Sequence, residues 1–420
     1  MELDEAKDRA RNMTEPPQLA IFYDQYSASI FEIIGAAHDW CRIVWVVGWS
    51  PNVPPIRALS RFGDVVDLTG MNDTQAVEHL VALQPDGVVV FDDPPMRLAA
   101  AVAEQLGLPF HSPHTARLMT DKLAQRTALQ QAGLPVPAFA AVRFGEIGAE
   151  VPFPAVLKPR AGAGSRDTFK VGNREQVADA LAKCDQDEEF ILEEWLPDRT
   201  NELGLGSDLV SVESVVRNGV IEHIMVTGRF PLAPPFRETG SFLPSDLGPA
   251  DQDPVAALAG AASEAMQVLN GLLHTEIKMT PEGPRIVEIN GRVGGGISGM
   301  IARLGGPSLH VWAVRLALGQ DVGSVPVFPE SSVAFFRWIV APLSATKVES
   351  VSGLDELSAL AGIDEVRLNL LPGDVVDSRE GSPRGHVIRI DGMVGSHAEL
   401  AVLIHEQIES ALHLTWSFNE

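Results

Sequence analysis

The chain has 420 residues, with 32 Lys and Arg against 56 Asp and Glu and a formal charge of −24. Hydrophobic residues make up 45% and charged residues 21%, the composition of a packed globular protein, and at roughly 100–200 residues per domain the length implies two to four lobes. The acidic surplus argues against nucleic acid or an anionic membrane as partner, while a small anionic ligand stays open if local positive charge or a metal meets it. Cys41 and Cys184 are the only cysteines, too few for a disulfide framework or a cysteine-rich zinc site. The N-terminal stretch is charged, and no segment approaches the roughly 18 apolar residues that span a bilayer. A soluble, cytoplasmic protein is the expectation.

The first 115 or so residues alternate short apolar runs with helical patterns. Leu19–Tyr23, Ile43–Val47, Val65–Leu68 and Gly87–Phe91 read as buried strands, and Thr74–Leu83 and Arg97–Leu106 as amphipathic helices. That rhythm predicts an open parallel α/β sheet. Asp121–Ala132 reads as a helix stopped by Gly133. Strands follow at Ala155–Lys158, Phe169–Val171, Phe190–Glu194, Val210–Val216 and Val220–Val226. The Pro-rich segment Phe230–Pro249 fits neither period, Ala256–Leu269 reads as a helix, and Leu272–Asn290 as a hairpin. From about 331 to 420 a smaller α+β unit closes the chain. In it His386–Gly395 reads as strand, tight turn and strand, Ser396–Leu414 as helical, and Arg337 as a surface arginine.

The hairpin carries the most chemistry. Centred on Glu282, it sets Glu276 opposite Glu288 and His274 opposite Asn290. Strand alternation collects His274, Glu276, Lys278, Glu288, Asn290 and Arg292 on one face, with Leu273, Ile277, Met279, Val287 and Ile289 on the other. Facing carboxylates repel, and a hard divalent cation would remove the conflict. Taken alone, the hairpin reads equally as a solvated face balanced by Lys278 and Arg292. The glycines Gly294–Gly296 that follow would let a ligand approach the backbone.

Upstream, an apolar strand delivers Lys158 into a loop carrying Gly162, Gly164 and Ser165. Backbone N–H groups there can cradle phosphate, although an ordinary hairpin turn explains the loop as well. Phe190–Glu194 ends in Glu193 and Glu194 before Trp195 and Leu196, a place where a carboxylate and nearby backbone can meet an adenine edge.

In this order, Asp121-Lys122, Lys158 with its Gly/Ser loop, Glu193-Glu194-Trp195-Leu196, Glu276 and Glu288-Ile-Asn290-Gly-Arg292 resemble the ATP-grasp superfamily over roughly residues 15–330. Within it, His274-Thr-Glu276 and Glu288-Ile-Asn-Gly-Arg-Val-Gly-Gly look most like the L-amino acid ligases of the bacilysin-synthetase type, which are related to carnosine synthases. The resemblance implies an ATP-grasp fold of mixed α/β and α+β class: a Rossmann-like N-terminal parallel-sheet lobe at 1–118, an ATP-binding lobe at 119–330 and a C-terminal α+β lobe at 331–420. Within the second lobe the lid would span about 140–215 and the metal-binding sheet about 216–330.

By the same resemblance, Lys122 and Lys158 would meet the phosphates of ATP and the 162–165 loop would close over them. Glu193, Glu194 and Leu196 would hold adenine, and Glu202 or Asp208 the ribose, with Glu213 a separate cleft residue. Glu276, Glu288 and Asn290 would carry Mg²⁺, with Mn²⁺ as the alternative, and Arg292 would face the transferred phosphate. Glu238 and Ser241, in the Pro-rich segment, and Gly295 and Gly296 would meet amino-acid substrates, although a solvated loop explains Glu238 and Ser241 equally well. The implied reaction is ATP-dependent joining of a carboxylate to an amine through an acyl phosphate. A carboxylase or formate-using purine-type enzyme and a non-catalytic nucleotide-binding module are the rival readings. A homodimer is admitted by the resemblance alone.

Overall fold

The computed structural model describes residues 15–24, 28–48, 56–144, 151–162, 164–199, 205–329, 331–377 and 385–418. Strands β1 (Gln18–Phe22), β2 (Arg42–Val47), β3 (Asp64–Asp67) and β4 (Gly87–Val90) form a parallel sheet in the order β3-β2-β1-β4. Its apolar runs are continuous because both faces are covered. Ala20, Phe22, Val46, Val88 and Val90 pack against helix Met96–Leu106. Leu19, Ile21, Trp45 and Val89 pack against helix Ile30–Ala37 and, from much later in the chain, Val314 and Ala317 of helix Leu309–Ala317.

The expected helix at Asp121–Ala132 forms as Lys122–Gln131, with Asp121 as its N-cap and Gly133 at φ 73° past its end. Next come β5 (Phe139–Val142), β6 (Ala155–Pro159), β7 (Phe169–Val171) and β8 (Phe190–Glu194), an antiparallel sheet in the order β5-β8-β6-β7. The last of these strands in the chain, β8, ends at Glu194.

The following strand, β9 (Leu209–Arg217), joins a different sheet with β10 (Val220–Arg229), β11 (Gly240–Leu243), β12 (Gly271–Thr280), β13 (Gly283–Asn290) and β14 (Val333–Val340). Past the short hairpin partner β15 (Ala345–Ser352), two more strands, β16 (Ile363–Leu368) and β17 (His386–Val394), complete this sheet. Its order is β13-β12-β9-β10-β11-β14-β17-β16. The C-terminal unit is therefore continuous with the sheet that carries the hairpin. Among the described residues of this unit, β15 and β18 (His413–Phe418) form a separate pair.

Several expectations change. The Pro-rich segment contains a strand, β11, that pairs with β10 and β14. The following helix begins at Pro249, because Gly248-Pro249 supplies a helix start, and ends at Ala265 rather than Leu269. His386–Val394 is one unbroken strand: Asp391 and Gly392 pair with Phe336 and Phe335 instead of turning. Gly392 serves close packing, since a Cβ there would lie 2.0 Å from the Gly362 carbonyl oxygen and 2.9 Å from the Phe335 ring. Arg337 is half-buried over the Phe230 ring at 5.0 Å, and donates to Thr239 O, so it is no surface arginine. No helix among the described residues is long and apolar enough to cross a membrane.

Gly392→Ala is accordingly expected to cost roughly 1–3 kcal/mol of stability through overpacking. Thermal unfolding would show this as a lowered midpoint, whereas an unchanged midpoint would contradict the packing.

Candidate active site

A cleft of about 700 Å³ opens between the lid sheet and the hairpin end of the central sheet. Pro137, Val156, Leu196 and Ile286 give it apolar walls, and Lys122, Lys158, Glu193, Asp208, Glu276 and Glu288 give it charge. Most of the expected nucleotide residues therefore meet in one place. Glu202 lies outside the described residues.

The hairpin has the expected register, with Glu276 opposite Glu288 and His274 opposite Asn290, but a bulge follows Glu276. Ile277 pairs with Ile286 as a result, and Val287, expected on the apolar face, lines the cleft instead. The bulge re-aims one residue beside the carboxylates.

Strand β13 is an edge, and helix Lys122–Gln131 covers it. The Gln125 side chain satisfies both backbone groups of Ile289, accepting from its N at 3.0 Å and donating to its O at 3.1 Å. Arg126 donates to the Val287 carbonyl. Residues three and four apart share a helix face, so the same docking aims Lys122 at the hairpin. Its Nζ lies 2.9 Å from Glu288 Oε1 and donates to the Gly162 carbonyl at 2.7 Å. Asp121 is held in a fork by Arg160, at 2.7 Å to each oxygen, which ties the helix to the lid.

Lys158 and Glu193 are both buried, with Lys158 Nζ 2.8 Å from Glu193 Oε2. Arg126 completes the cluster, its Nε 2.7 Å from Glu193 Oε1, while its buried Nη1 has no hydrogen-bond partner among the described residues. Burial alone would raise the Glu193 carboxyl, but Arg126 and Lys158 outweigh it and hold the pKa down to about 2. Burial pushes the Lys158 amine down, with Glu193 opposing. Glu194 turns away from its neighbour and accepts from Ala138 N at 3.1 Å. In the loop, Ser165 (φ 57°) and Asp167 (φ 49°) both adopt left-handed backbone, as does Gly164 (φ 68°). Asp208 lines the cleft, and its carboxyl is raised by burial against the opposing charge of Lys278.

Beyond Glu276 lies a second charged cluster. Arg229, at the end of β10, reaches Glu276 Oε1 at 2.8 Å and Glu238 Oε1 at 2.5 Å. Glu213 lies 2.9 Å from His274 Nδ1 and, against the opposing effect of burial, holds the pKa of that imidazole up to about 9, while Nε2 of the ring lies 2.8 Å from Arg229 Nη2. Burial would raise the Glu276 carboxyl, yet Arg229 keeps it well below the usual carboxylate range. Ser241 is buried opposite Arg229 in the β10–β11 ladder. Arg292 does not line the main cleft. Its guanidinium forks onto Asp93, just past β4, with Nη2 2.7 Å from Oδ2. Gly295 has open space where a Cβ would stand, and Gly296 (φ 78°) starts helix Ile297–Arg303.

Three residues of this site were missed in the sequence. Arg126 was legible from its i+4 spacing to Lys122. Asp93 was legible from its place after a strand of a parallel sheet, where ligands gather. Arg229 carried no local signal beyond a cation ending an apolar strand.

Glu276, Glu288 and the amide of Asn290 are hard oxygen donors suited to Mg²⁺ or Mn²⁺. No group of three or more His, Cys, Asp or Glu with metal-holding geometry occurs among the described residues. Two carboxylates fit an ion that takes its remaining ligands from phosphates and water.

Glu193→Gln would leave Arg126 and Lys158 buried together without an anion, a loss of about 3–5 kcal/mol at neutral pH. A carboxyl whose folded pKa is depressed contributes stability above its ordinary pKa and loses it as pH falls through the folded value. In denaturant titrations, the gap between wild type and variant should hold constant above pH 4.5 and close toward about pH 2. A gap independent of pH would contradict the ion triad.

Comparison with known proteins agrees with this geometry. Residues 119–296 match the ATP-grasp domain family. The L-arginine-specific L-amino acid ligase of Bacillus subtilis is 27% identical over 332 residues, covering 76% of this chain and 78% of that protein. Human carnosine synthase 1 is 27% identical over 328 residues, covering 72% of this chain but 39% of that longer protein. The crystal structure of an L-amino acid ligase from Bacillus licheniformis superposes with a TM-score of 0.75 at 18% identity, covering 96% of this chain and all of that one. The chain carries an ATP-grasp domain at residues 119–296.

Proposed function

We propose that the protein is an ATP-dependent carboxylate–amine ligase that joins two amino acids, or an amino acid and a similar amine, through an acyl phosphate. The observation that carries this reading is the pair Glu276 and Glu288. They face each other at the cleft floor, with Lys122 and Arg229 as counter-charges from two different elements.

Lys122, Lys158 and the partnerless Nη1 of Arg126 would take the phosphate oxygens of ATP, helped by the backbone of Gly162, Gly164 and Ser165. The Glu193 carboxylate is committed to two cations, so the adenine edge falls to the backbone from Glu194 to Leu196. Asp208 stands where the ribose hydroxyls would come. Glu276, Glu288 and Asn290 would hold Mg²⁺, which neutralises phosphate charge and polarises the γ-phosphoryl group.

In the first step the donor carboxylate attacks the γ-phosphorus, the bond to the β-phosphate oxygen breaks, and ADP leaves. In the second, the amine attacks the acyl carbon, the C–O bond to phosphate breaks, and the amine releases a proton. Arg229 and Arg292 flank the developing charge, and their acidic partners hold both guanidiniums in place before substrate arrives. Glu238, near the middle of the Pro-rich segment, would take the donor ammonium, with Ser241 and Gly295-Gly296 shaping the space beside it. Trp195 and Phe236, ring centres 6.3 Å apart, both line the cleft and would flank the nucleotide on the adenine side.

Incubation with ATP, Mg²⁺ and pairs of amino acids is expected to release phosphate and yield a condensed product visible by mass spectrometry. Phosphate release needing bicarbonate or formate instead would contradict the reading. Glu276→Gln is expected to lower turnover by about 10²-fold or more, since it removes a ligand to the metal and leaves Arg229 unbalanced. Ligation at the wild-type rate would remove Glu276 from the site.

A further inference from the structure

The charged groups assigned so far serve ATP and the donor amino acid, and the acceptor has no partner. The cations near the transfer point are largely committed. Arg229 is shared between Glu238 and Glu276, and the Arg292 fork is filled by Asp93 with Nη1 on the Val293 carbonyl.

A third arginine comes from the C-terminal unit. Arg389, on β17, binds Asp391 through Nε at 2.7 Å and Nη2 at 2.8 Å. Its Nη1 has no acceptor among the described residues. The guanidinium stacks at 4.5 Å from the Phe336 ring centre and 5.3 Å from that of Trp338. Fork pairing and stacking fix its plane, so an incoming carboxylate would meet a donor edge already oriented. Asp391 is also approached by Arg367 at 3.4 Å and Arg303 at 3.7 Å, and these two arginines are paired in turn with Glu365 and Asp364.

This guanidinium sits at the substrate glycines. A Cβ on Gly296 would stand 3.1 Å from Arg389 Nη2 and 2.6 Å from the Phe336 ring, whereas beside Gly295 the space is open. In the other direction the wall runs through Trp338, whose ring centre is 5.0 Å from that of His386, to His386 Nε2, which lies 3.1 Å from the Glu238 carbonyl oxygen. One continuous surface of the C-terminal unit thus connects the segment proposed to hold the donor ammonium with the glycine turn. An acceptor that points its amine at the acyl phosphate must direct its other polar end away from the phosphates. On this side, the open edge of Arg389 is what that end would reach.

Resting on the ligase reading above, we infer that Arg389 is a specificity-determining residue: it binds the carboxylate of the acceptor, which is therefore a free amino acid rather than a simple amine. The bond-forming step is unchanged, because Arg389 binds a group that keeps its charge throughout.

The test uses the full chain with ATP, Mg²⁺ and a donor amino acid chosen from the pair assay. L-alanine, L-alaninamide and hydroxylamine serve as acceptors, the last two lacking a carboxylate. Wild type is expected to favour L-alanine over L-alaninamide by about tenfold or more in kcat/KM. Arg389→Met should remove that preference, mainly through KM for L-alanine. Hydroxamate formation, which reads the first step and the fold together, should stay within about twofold of wild type. Arg389→Lys, which keeps the charge without the fork, should recover part of the preference. Equal losses with all three acceptors would make Arg389 merely structural and overturn the inference, as would a wild type indifferent to the carboxylate. If no pair of amino acids releases phosphate with the wild type, the ligase reading itself fails, and the Arg389 inference with it.

Discussion

Two carboxylates held face to face at the floor of a cleft repel each other unless positive charge is brought to them, and much of this architecture supplies that charge. Glu288 is met by Lys122, carried on a helix that caps the free edge of β13 through Gln125 and Arg126. Glu276 is met by Arg229, which arrives at the end of β10 from inside the sheet. The helix that brings Lys122 is itself bound to the lid through Asp121 and Arg160. Lid, helix and hairpin are therefore connected through ion pairs grouped around the nucleotide cleft. A phosphate chain with its metal would exchange these internal partners for external ones without reversing the local charge balance.

The same logic separates two halves of the site. Around Lys122, Lys158 and Arg126 the cations outnumber the acids, which suits a polyphosphate. Around Arg229 the acids Glu213, Glu238 and Glu276 dominate, which suits a cationic group such as an ammonium. Glu276 belongs to both and marks the boundary where phosphoryl transfer would occur. The net charge of −24 says nothing of this division, because it averages a local arrangement over the whole surface.

Local patterns were legible before the structure. The turn around Glu282 set the hairpin register correctly at Glu276–Glu288, because alternation and turn position act over a few residues. The buried parallel strands and the delivery of Lys158 on β6 followed from apolar runs for the same reason. What escaped was whatever depends on topology. Asp93 and Arg292 lie 199 residues apart in sequence, and no local pattern joins them. The bulge that moves Val287 into the cleft is one extra residue in an otherwise regular alternation. Asp391-Gly392 has the composition of a turn, yet the close approach of Gly362 and Phe335 demands glycine within a straight strand. The C-terminal residues looked like a separate unit because no local pattern shows which earlier strand they pair with, β14 with β11 being such a pairing. In the fold they extend the central sheet, which is what brings β14 and β17 beside the glycine turn.

The most direct test of the acyl-phosphate route is to follow the donor's oxygen. With an amino acid labelled with ¹⁸O in its carboxylate, together with ATP, Mg²⁺ and an acceptor, the released phosphate should carry one ¹⁸O per turnover, because the oxygen that attacks the γ-phosphorus leaves with it. Unlabelled phosphate accompanying product would contradict an acyl phosphate, and with it the role assigned to the charged cleft.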